Sequence, residues 1–519
     1  MIAPAHFNFC RDVFERWARE RPQELALWCL GEDGNEQRFS FEQLAKEARR
    51  AAHFFQTLGI KRGDRVLVIL ARVPQWWIAM LGLVRLGAVP IPGTPMLTSA
   101  DLCYRIETAE VSGIVTDADG AGKVARFDGI RLIVGSEQAG WTNFDEGVRD
   151  SSADFEPELT RSDDPGILYF TSGTTGPPKM VLHTQASYGL AHRLTGELWL
   201  DLKSNDVHWN LSDTGWGKAA WSSFFGPWHM GACVFSVDAR GKFSAMAALR
   251  TLANYPITTW CAPPTALRLM VREDLSAYRF PKLRHCVSAG EPVNPEVITA
   301  WKSATGLTIY EGYGQTETVI LIANCRCLGR PIRAGSMGQA IPGYELAVLD
   351  RELNEVPAGE EGEIAIGVKP NRPLGLFQEY WRSPDENTAR FRGDWYLTGD
   401  TARRDADGYY WFVGRADDVI KSAGYRIGPF EVESALIEHP AVVEAAVVGK
   451  ADEVRSQIVK AFVVLRKGHS PNDALKVELQ EHCKRVTAPY KYPREIEFVT
   501  ELPKTISGKI RRIDLRNRA

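Results

Sequence analysis

Three stretches of this 519-residue chain combine residue types suited to phosphate and carboxylate chemistry. The first is Tyr169-Phe170-Thr171-Ser172-Gly173-Thr174-Thr175-Gly176-Pro177-Pro178-Lys179, a strand that runs into small hydroxyl and glycine residues and ends in a lysine. Such a loop lets backbone N–H groups approach a polyphosphate closely, while hydroxyls and an ammonium add donors. It is not a P-loop, because no Gly-Lys in the chain is followed by Ser or Thr. The second stretch, Glu311-Gly312-Tyr313-Gly314-Gln315-Thr316-Glu317, lacks the third glycine of a dinucleotide fingerprint. The third, Thr505-Ile506-Ser507-Gly508-Lys509-Ile510, presents a lysine on a loop of small residues. Taken singly, each also reads as an ordinary turn or a solvated charge.

The elements that carry these stretches alternate between strand and helix. Arg65 to Leu70 reads as a buried strand, Trp76 to Leu86 as a helix and Ala88 to Ile91 as the next strand, which is a parallel βαβ rhythm. The same alternation recurs at Gly113 to Thr116, Thr258 to Cys261 and His285 to Ser288. We therefore expect an α/β fold: a large N-terminal domain of stacked, mostly parallel sheets covered by helices. Near residue 410 the texture changes. Tyr409 to Val413 reads as a strand, Gly414 to Asp418 as a polar connector, and the rest as a small α+β unit. Its expected elements are a helix at Phe430 to Glu438, strands at Ala445 to Val448, Val459 to Leu465 and Glu495 to Thr500, and a helix ending before His482. The expected domains are residues 1–416 and 417–519.

Composition narrows the partners. Charged residues make up 24% and the net charge is -3, so no basic excess is available for nucleic acid. The longest apolar stretch, Val66 to Ile91, is interrupted by Arg72, Pro74 and Arg85, which argues against a membrane span. Nine cysteines without a C-x-x-C pair point to reduced thiols. Acidic residues appear early, at Asp12 and Glu15, and no basic-then-apolar leader is present, so the expected address is cytoplasmic.

The ordered segments TSGTTGPPK, EGYGQTE, LTGD, GRADDVIKSAGYRIGP and PKTISGKIRR resemble the signature motifs of the acyl-adenylate-forming superfamily. PAHFNF, RVPQWW, SDTGW and SAGEPVNPEV further resemble the medium-chain acyl-CoA synthetases, over nearly the whole chain. The resemblance implies an ATP-dependent ligase, with Mg2+ as its metal, that activates a carboxylic acid as acyl-AMP and passes the acyl group to coenzyme A. It implies an ATP site formed by Thr171, Ser172, Gly173, Thr174, Thr175, Gly176 and Lys179, and by Glu311, Gly312, Tyr313, Gly314, Gln315 and Thr316. Asp400 would hold the ribose hydroxyls and Arg415 the ribose or phosphate. Thr174 and Glu317 would ligate the metal, whose hardness suits oxygen donors.

By the same resemblance Lys509 bridges the attacking carboxylate and the α-phosphate, offsetting charge as pyrophosphate leaves. Asp417 is the hinge about which the small domain swings, and Ala423, Gly424, Tyr425 and Arg426 form the face that opens toward coenzyme A. The acyl pocket is expected around Trp216, Trp221 and Gly290. Where many superfamily members have a gating histidine, Asp213 and Trp216 stand here. PKTISGKI also resembles the segment that lysine acetyltransferases modify in bacterial relatives, which would make such an enzyme a partner acting on Lys509. The acid is expected to be a medium-chain fatty or related acid; an aromatic acid, or a carrier protein as acceptor, are the alternatives.

Overall fold

The computed structural model describes residues 2–124, 126–171, 178–241, 243–423, 425–505 and 509–519, with the backbone alone at Arg426. The βαβ unit forms as its apolar runs require. Arg65–Ile69 and Val89–Gly93 pair in parallel, joined by the Pro74–Leu86 helix. Proline at the first position starts that helix, and Gly87 at φ +82° ends it in a left-handed cap. The helix lies so close to Phe41–Thr57 that a Cβ on Gly82 would sit 2.6 Å from that of Ala51, so glycine is what permits the contact. Gly113–Thr116, Ile130–Ile133 and Thr142–Asn143 complete a five-stranded parallel sheet.

A second, larger sheet holds the site. One half is built around parallel strands: Leu25–Leu30, Cys233–Val237, Val207–Asn210, Thr259–Cys261, His285–Ala289 and Ile309–Tyr313. From Ile309–Tyr313 onward the pairing is antiparallel, through Ile322–Ala323, Gly338–Ala340, Tyr409–Arg415, Trp395–Arg404, Glu361–Gly367 and Leu346–Leu349. Tyr313 thus ends the last parallel strand at a change of strand direction, and ligand sites of α/β sheets form at the carboxyl ends of such strands. A separate hairpin pairs Pro165–Thr171 with Lys179–Thr184, with Thr171 opposite Lys179. The loop residues between them, including the candidates Ser172, Gly173, Thr174, Thr175 and Gly176, lie outside the described residues.

The connector expected from Gly414 begins later. Strand pairing continues through Gly414 and Arg415, opposite Thr401 and Asp400, because this ladder is long enough to absorb both residues. In the smaller C-terminal domain, Val442–Asp452 and Ser456–Leu465 form a long antiparallel pair, joined by Ile420–Ser422, Tyr425–Ile427 and Glu495–Phe498. Its period-two pattern sends Ala445 and Val447 to the face under helices Pro429–Glu438 and Asp473–Val486. Ala446, Val448 and Phe462 face the Arg512–Arg518 helix through Leu515. The Asp473–Val486 helix runs past His482, with Leu475, Leu479 and Cys483 on its buried stripe. Among the described residues no helix is long and apolar enough to cross a membrane, and all nine cysteines are free thiols.

Candidate active site

The carboxyl end of Ile309–Tyr313 meets two antiparallel strands, and their side chains form a hydrogen-bonded cluster. Asp400, 5% exposed, accepts on Oδ2 from Tyr313 Oη and Gln315 Nε2, both at 2.7 Å. Its Oδ1 lies 3.4 Å from Nε of Arg415, the residue directly opposite it in the ladder. Gln315 also donates to the Thr398 carbonyl at 2.8 Å and accepts from Tyr396 Oη at 3.2 Å. Tyr380 Oη donates to Glu317 Oε1 at 2.8 Å and lies 3.2 Å from Tyr396 Oη. Burial raises the Glu317 carboxyl above its ordinary value, opposed by the Tyr380 hydrogen bond and the Arg415 charge. Arg415 is raised: its burial is outweighed by the Asp400, Tyr313 and Glu317 charges around it. Tyr380 and Tyr396 are site residues that sequence reasoning misses, since neither stands in a motif.

On the hairpin side, the Lys179 ammonium pairs with the Glu386 carboxylate. It also lies over the Tyr380 ring at 5.5 Å. Glu386 is further held by Arg390 at 3.2 Å, and its carboxyl sits below the usual range because these two cations outweigh its burial. Glu386 and Arg390 belong to the Pro384–Arg390 helix, and nothing in their local sequence marks them.

The floor is fixed by close backbone approach. A Cβ on Gly312 would lie 2.7 Å from Trp199, and one on Gly314 would lie 2.5 Å from the Trp221 ring. The Thr316 carbonyl accepts from Tyr188 Oη at 2.5 Å and His183 Nε2 at 2.8 Å, which requires the tautomer protonated on Nε2. Burial holds the His183 ring neutral, its pKa lowered to about 3. Trp221, 4% exposed, reaches Tyr188 Oη with its indole N–H at 3.4 Å. Trp216 is half-buried just before the Gly217–Ala220 helix. Gly290 has φ +99°, and a Cβ there would lie 3.5 Å from Nζ of Lys218, a lysine that no motif announces.

Glu311 lies beneath this floor. Its Oε1 accepts from Val293 N–H at 3.0 Å, while Oε2 has no hydrogen-bond partner among the described residues. Burial pushes its carboxyl up to about 8. A folded carboxyl that keeps its proton past the ordinary value of 4.5 makes the native state bind more protons than the unfolded one between about pH 4.5 and 8. Stability therefore falls as pH rises through that window, by about 1.4 kcal/mol per unit at most for one group. Glu311→Gln keeps the acceptor for Val293 and removes the titration. The melting temperature of this variant should gain on the wild type steadily from pH 5 to 8; a gap constant with pH would refute the assignment.

The small domain closes over the site. Asn294 Nδ2 donates to Ser434 Oγ at 2.9 Å and Arg272 Nη2 to the Val443 carbonyl at 2.6 Å. The Lys509 backbone is pinned by Thr505, through Lys509 N–H to Oγ1 at 3.1 Å and Thr505 N–H to the Lys509 carbonyl at 2.7 Å. Ile506, Ser507 and Gly508 lie outside the described residues, as does Gly424. Ala423 has φ +49° and Tyr425, 51% exposed, stacks on Tyr490 at 4.1 Å. Arg426 pairs through its backbone with Lys421. The Asp417 carbonyl accepts from Arg516 at 3.0 Å, and Asp418 pairs with the same arginine. Asp213 accepts from Gly215 N–H at 2.9 Å and is a turn residue before the aromatic helix.

The fold of this chain is shared with solved CoA ligases. An anthranilate CoA ligase solved with anthranoyl-AMP superposes with TM-score 0.90 at 32% identity, covering 99% of this chain and 98% of that one. A Brucella canis acyl-CoA synthetase matches at 35% identity and TM-score 0.77, covering 99% and 94%. A benzoate CoA ligase from Burkholderia xenovorans matches at 28% identity and TM-score 0.87, covering 98% of this chain and 100% of that one. The chain belongs to the AMP-binding enzyme family, whose model matches residues 14–381, with the AMP-binding enzyme C-terminal domain at residues 431–509. Among curated relatives, the mitochondrial acyl-coenzyme A synthetase ACSM3 of Mus musculus is 47% identical over 99% of this chain and 91% of its own length. The human ACSM5 protein is 47% identical over the same shares.

Proposed function

We infer that this protein is an AMP-forming carboxylate–CoA ligase that works in two half-reactions. In the first, a carboxylate oxygen attacks the α-phosphorus of ATP and the bond to the β-phosphate breaks, releasing pyrophosphate. In the second, the thiol sulfur of coenzyme A bonds to the acyl carbon, AMP departs, and the thiol proton is lost to solvent. The observation that carries this reading is the hydrogen-bonded Asp400–Tyr313–Gln315 cluster at the end of the last parallel strand, with Arg415 beside it.

Asp400 Oδ1 is the acceptor offered to ribose hydroxyls, and Arg415 beside it supplies a donor for ribose or phosphate. Thr171, Ser172, Gly173, Thr174, Thr175, Gly176 and Lys179 bind the triphosphate, for which Lys179 exchanges its Glu386 partner. Glu311 to Thr316 form the adenine side. Mg2+ fits Glu317, a half-buried carboxylate with one oxygen held by Tyr380, since that ion uses one or two carboxylates and substrate phosphates. Thr174 completes the proposed pair, and the metal would neutralise charge on the triphosphate. Lys509 performs the corresponding role on the carboxylate and α-phosphate. Domains 1–416 and 417–519 then move about Asp417, which lies between the last strand of the large sheet and the first of the small one. The movement exchanges the Lys509 face for Ala423, Gly424, Tyr425 and Arg426, opening the way to coenzyme A.

The acid we propose is a medium-chain fatty or related acid, on the strength of the acyl-coenzyme A synthetase relatives and the aromatic floor. An aromatic acid is the second reading, favoured by the edge-to-face pair of Trp199 and Trp221. Pyrophosphate release and coenzyme A consumption across a panel of straight-chain and aromatic acids test both; a requirement for a carrier protein instead of coenzyme A would overturn the reading. Within the pocket, Trp221→Ala should open space against Gly314 and shift preference toward longer or bulkier acids. The loss of the indole should also cost roughly 3–5 kcal/mol of stability. An unchanged acid preference in the destabilised variant would make Trp221 a packing residue only.

We also propose that a lysine acetyltransferase acts on Lys509. Acetylation removes the charge and adds bulk where the substrates meet, so it should abolish adenylate formation and spare thioester formation. Lys504, paired with Glu444 at 2.7 Å, is the internal control. Site mapping by mass spectrometry with separate half-reaction assays checks this; full adenylation by protein acetylated at Lys509 would refute it. A cytoplasmic address is proposed, and cell fractionation against a mitochondrial marker decides it.

A further inference from the structure

Lys218 is a charged group without a charged partner among the described residues. It stands on the Gly217–Ala220 turn, and its Nζ donates to the Ala289 carbonyl at 2.5 Å. An ammonium has three N–H donors, and one neutral carbonyl satisfies only one of them. The nearby Glu291 carboxylate is engaged by Arg268 at 3.3 Å. Burial lowers the Lys218 pKa, opposed by the nearby Glu291 charge. A part-buried ammonium with one acceptor has donors left for an anion. The position is equally specific. Nζ lies beside Gly290, where a Cβ would be 3.5 Å away, and a Cβ on the adjoining Gly217 would lie 3.4 Å from Thr316 Oγ1. The Lys218 ammonium thus borders the space over Gly290, a place that favours an anion.

Resting on the reading of the protein as a carboxylate–CoA ligase, we propose that Lys218 is a second catalytic lysine, whose ammonium holds the non-attacking oxygen of the substrate carboxylate and then the carbonyl oxygen of the acyl-adenylate. The two lysines divide the chemistry by their attachment. Lys509 belongs to the small domain and leaves the site when that domain turns. Lys218 is anchored on the large domain at Ala289, so it stays for the second half-reaction. When the thiol sulfur bonds to the acyl carbon, the π pair of the C=O bond moves onto oxygen and the Lys218 ammonium lies against that oxyanion. Collapse restores the C=O bond, breaks the C–O bond to phosphate and expels AMP, with the thiol proton passing to solvent. A preorganised donor at such an oxygen typically contributes 10²–10³-fold in rate.

The test measures both half-reactions in the full-length enzyme: acid-dependent ATP–pyrophosphate exchange, and acyl-CoA formation from supplied acyl-adenylate and coenzyme A. Lys218→Met should slow both by 10²–10³-fold, while AMP affinity by calorimetry stays within threefold of the wild type. Lys509→Ala run alongside should slow only the exchange. Lys218→Gln, which keeps a donor for Ala289 without the charge, should behave as Lys218→Met and serves where the methionine variant does not fold. Thioester formation within threefold of the wild type in either folded variant would overturn the proposal. A wild-type enzyme that gives no exchange with any acid would instead overturn the ligase reading itself.

Discussion

Lys509→Ala should reduce acid-dependent pyrophosphate exchange by at least 10²–10³-fold while leaving thioester formation from supplied acyl-adenylate close to the wild-type rate. The expectation follows from where the lysine sits. Its backbone is tied to Thr505, and it rides on the domain proposed to move between steps. No general base is needed in that first step, because a carboxylate is already ionised at neutral pH. The lysine therefore contributes charge alone, and its removal should not shift the pH dependence of what activity remains. Gly424→Leu should give the reverse pattern, since a side chain there would obstruct the route to the acyl group in the second closed state. Rapid-quench measurement of each half-reaction separates the two; equal slowing of both by Lys509→Ala would remove the support for a moving domain.

Asp400→Ala should be nearly as damaging, and in a different parameter. The carboxylate, itself buried, is the shared acceptor for Tyr313 and Gln315 and the counter-charge of the half-buried Arg415. Removing it leaves a cation and two donors without their partner and takes away the acceptor offered to ribose. The affinity for ATP and for AMP should drop by roughly 10²-fold, the equivalent of about 2.7 kcal/mol, whereas the apparent affinity for coenzyme A should hold. Isothermal calorimetry with AMP checks this directly. Unchanged AMP affinity would assign Asp400 to holding its strands together.

How much of this was legible depended on whether the signal was local. Gly113–Thr116 shows itself because an apolar run of strand length is bounded by Ser112 and Asp117, and the structure forms that strand. Asp400, Arg415 and Lys509 stand inside motifs, so their positions could be proposed from order alone. The ladder that places Arg415 opposite Asp400 was hidden, since Gly414 and Arg415 have the composition of a connector and become strand only by pairing with Thr401 and Asp400. Lys218 was hidden for a similar reason. A lysine three residues before Trp221 reads as the polar edge of a helix, and its partner appears only when Ala289, 71 residues on, supplies the carbonyl it meets. Tyr380, Tyr396 and Glu386 act across separations of 63, 81 and 207 residues, beyond the reach of any periodicity. The Trp221–Phe225 segment adds a π-helical turn that no pattern of aromatic residues predicts; it turns the Trp221 ring onto Gly314.

The central claim is that an acyl-adenylate forms on the enzyme before coenzyme A takes part. Enzyme at substrate-level concentration, mixed with a medium-chain acid and MgATP in the absence of coenzyme A, should yield about one equivalent of bound acyl-AMP together with one of pyrophosphate. Addition of coenzyme A in a single turnover should then convert that adenylate to acyl-CoA and AMP. Orthophosphate and ADP as products, or no adenylate until coenzyme A is present, would contradict the account.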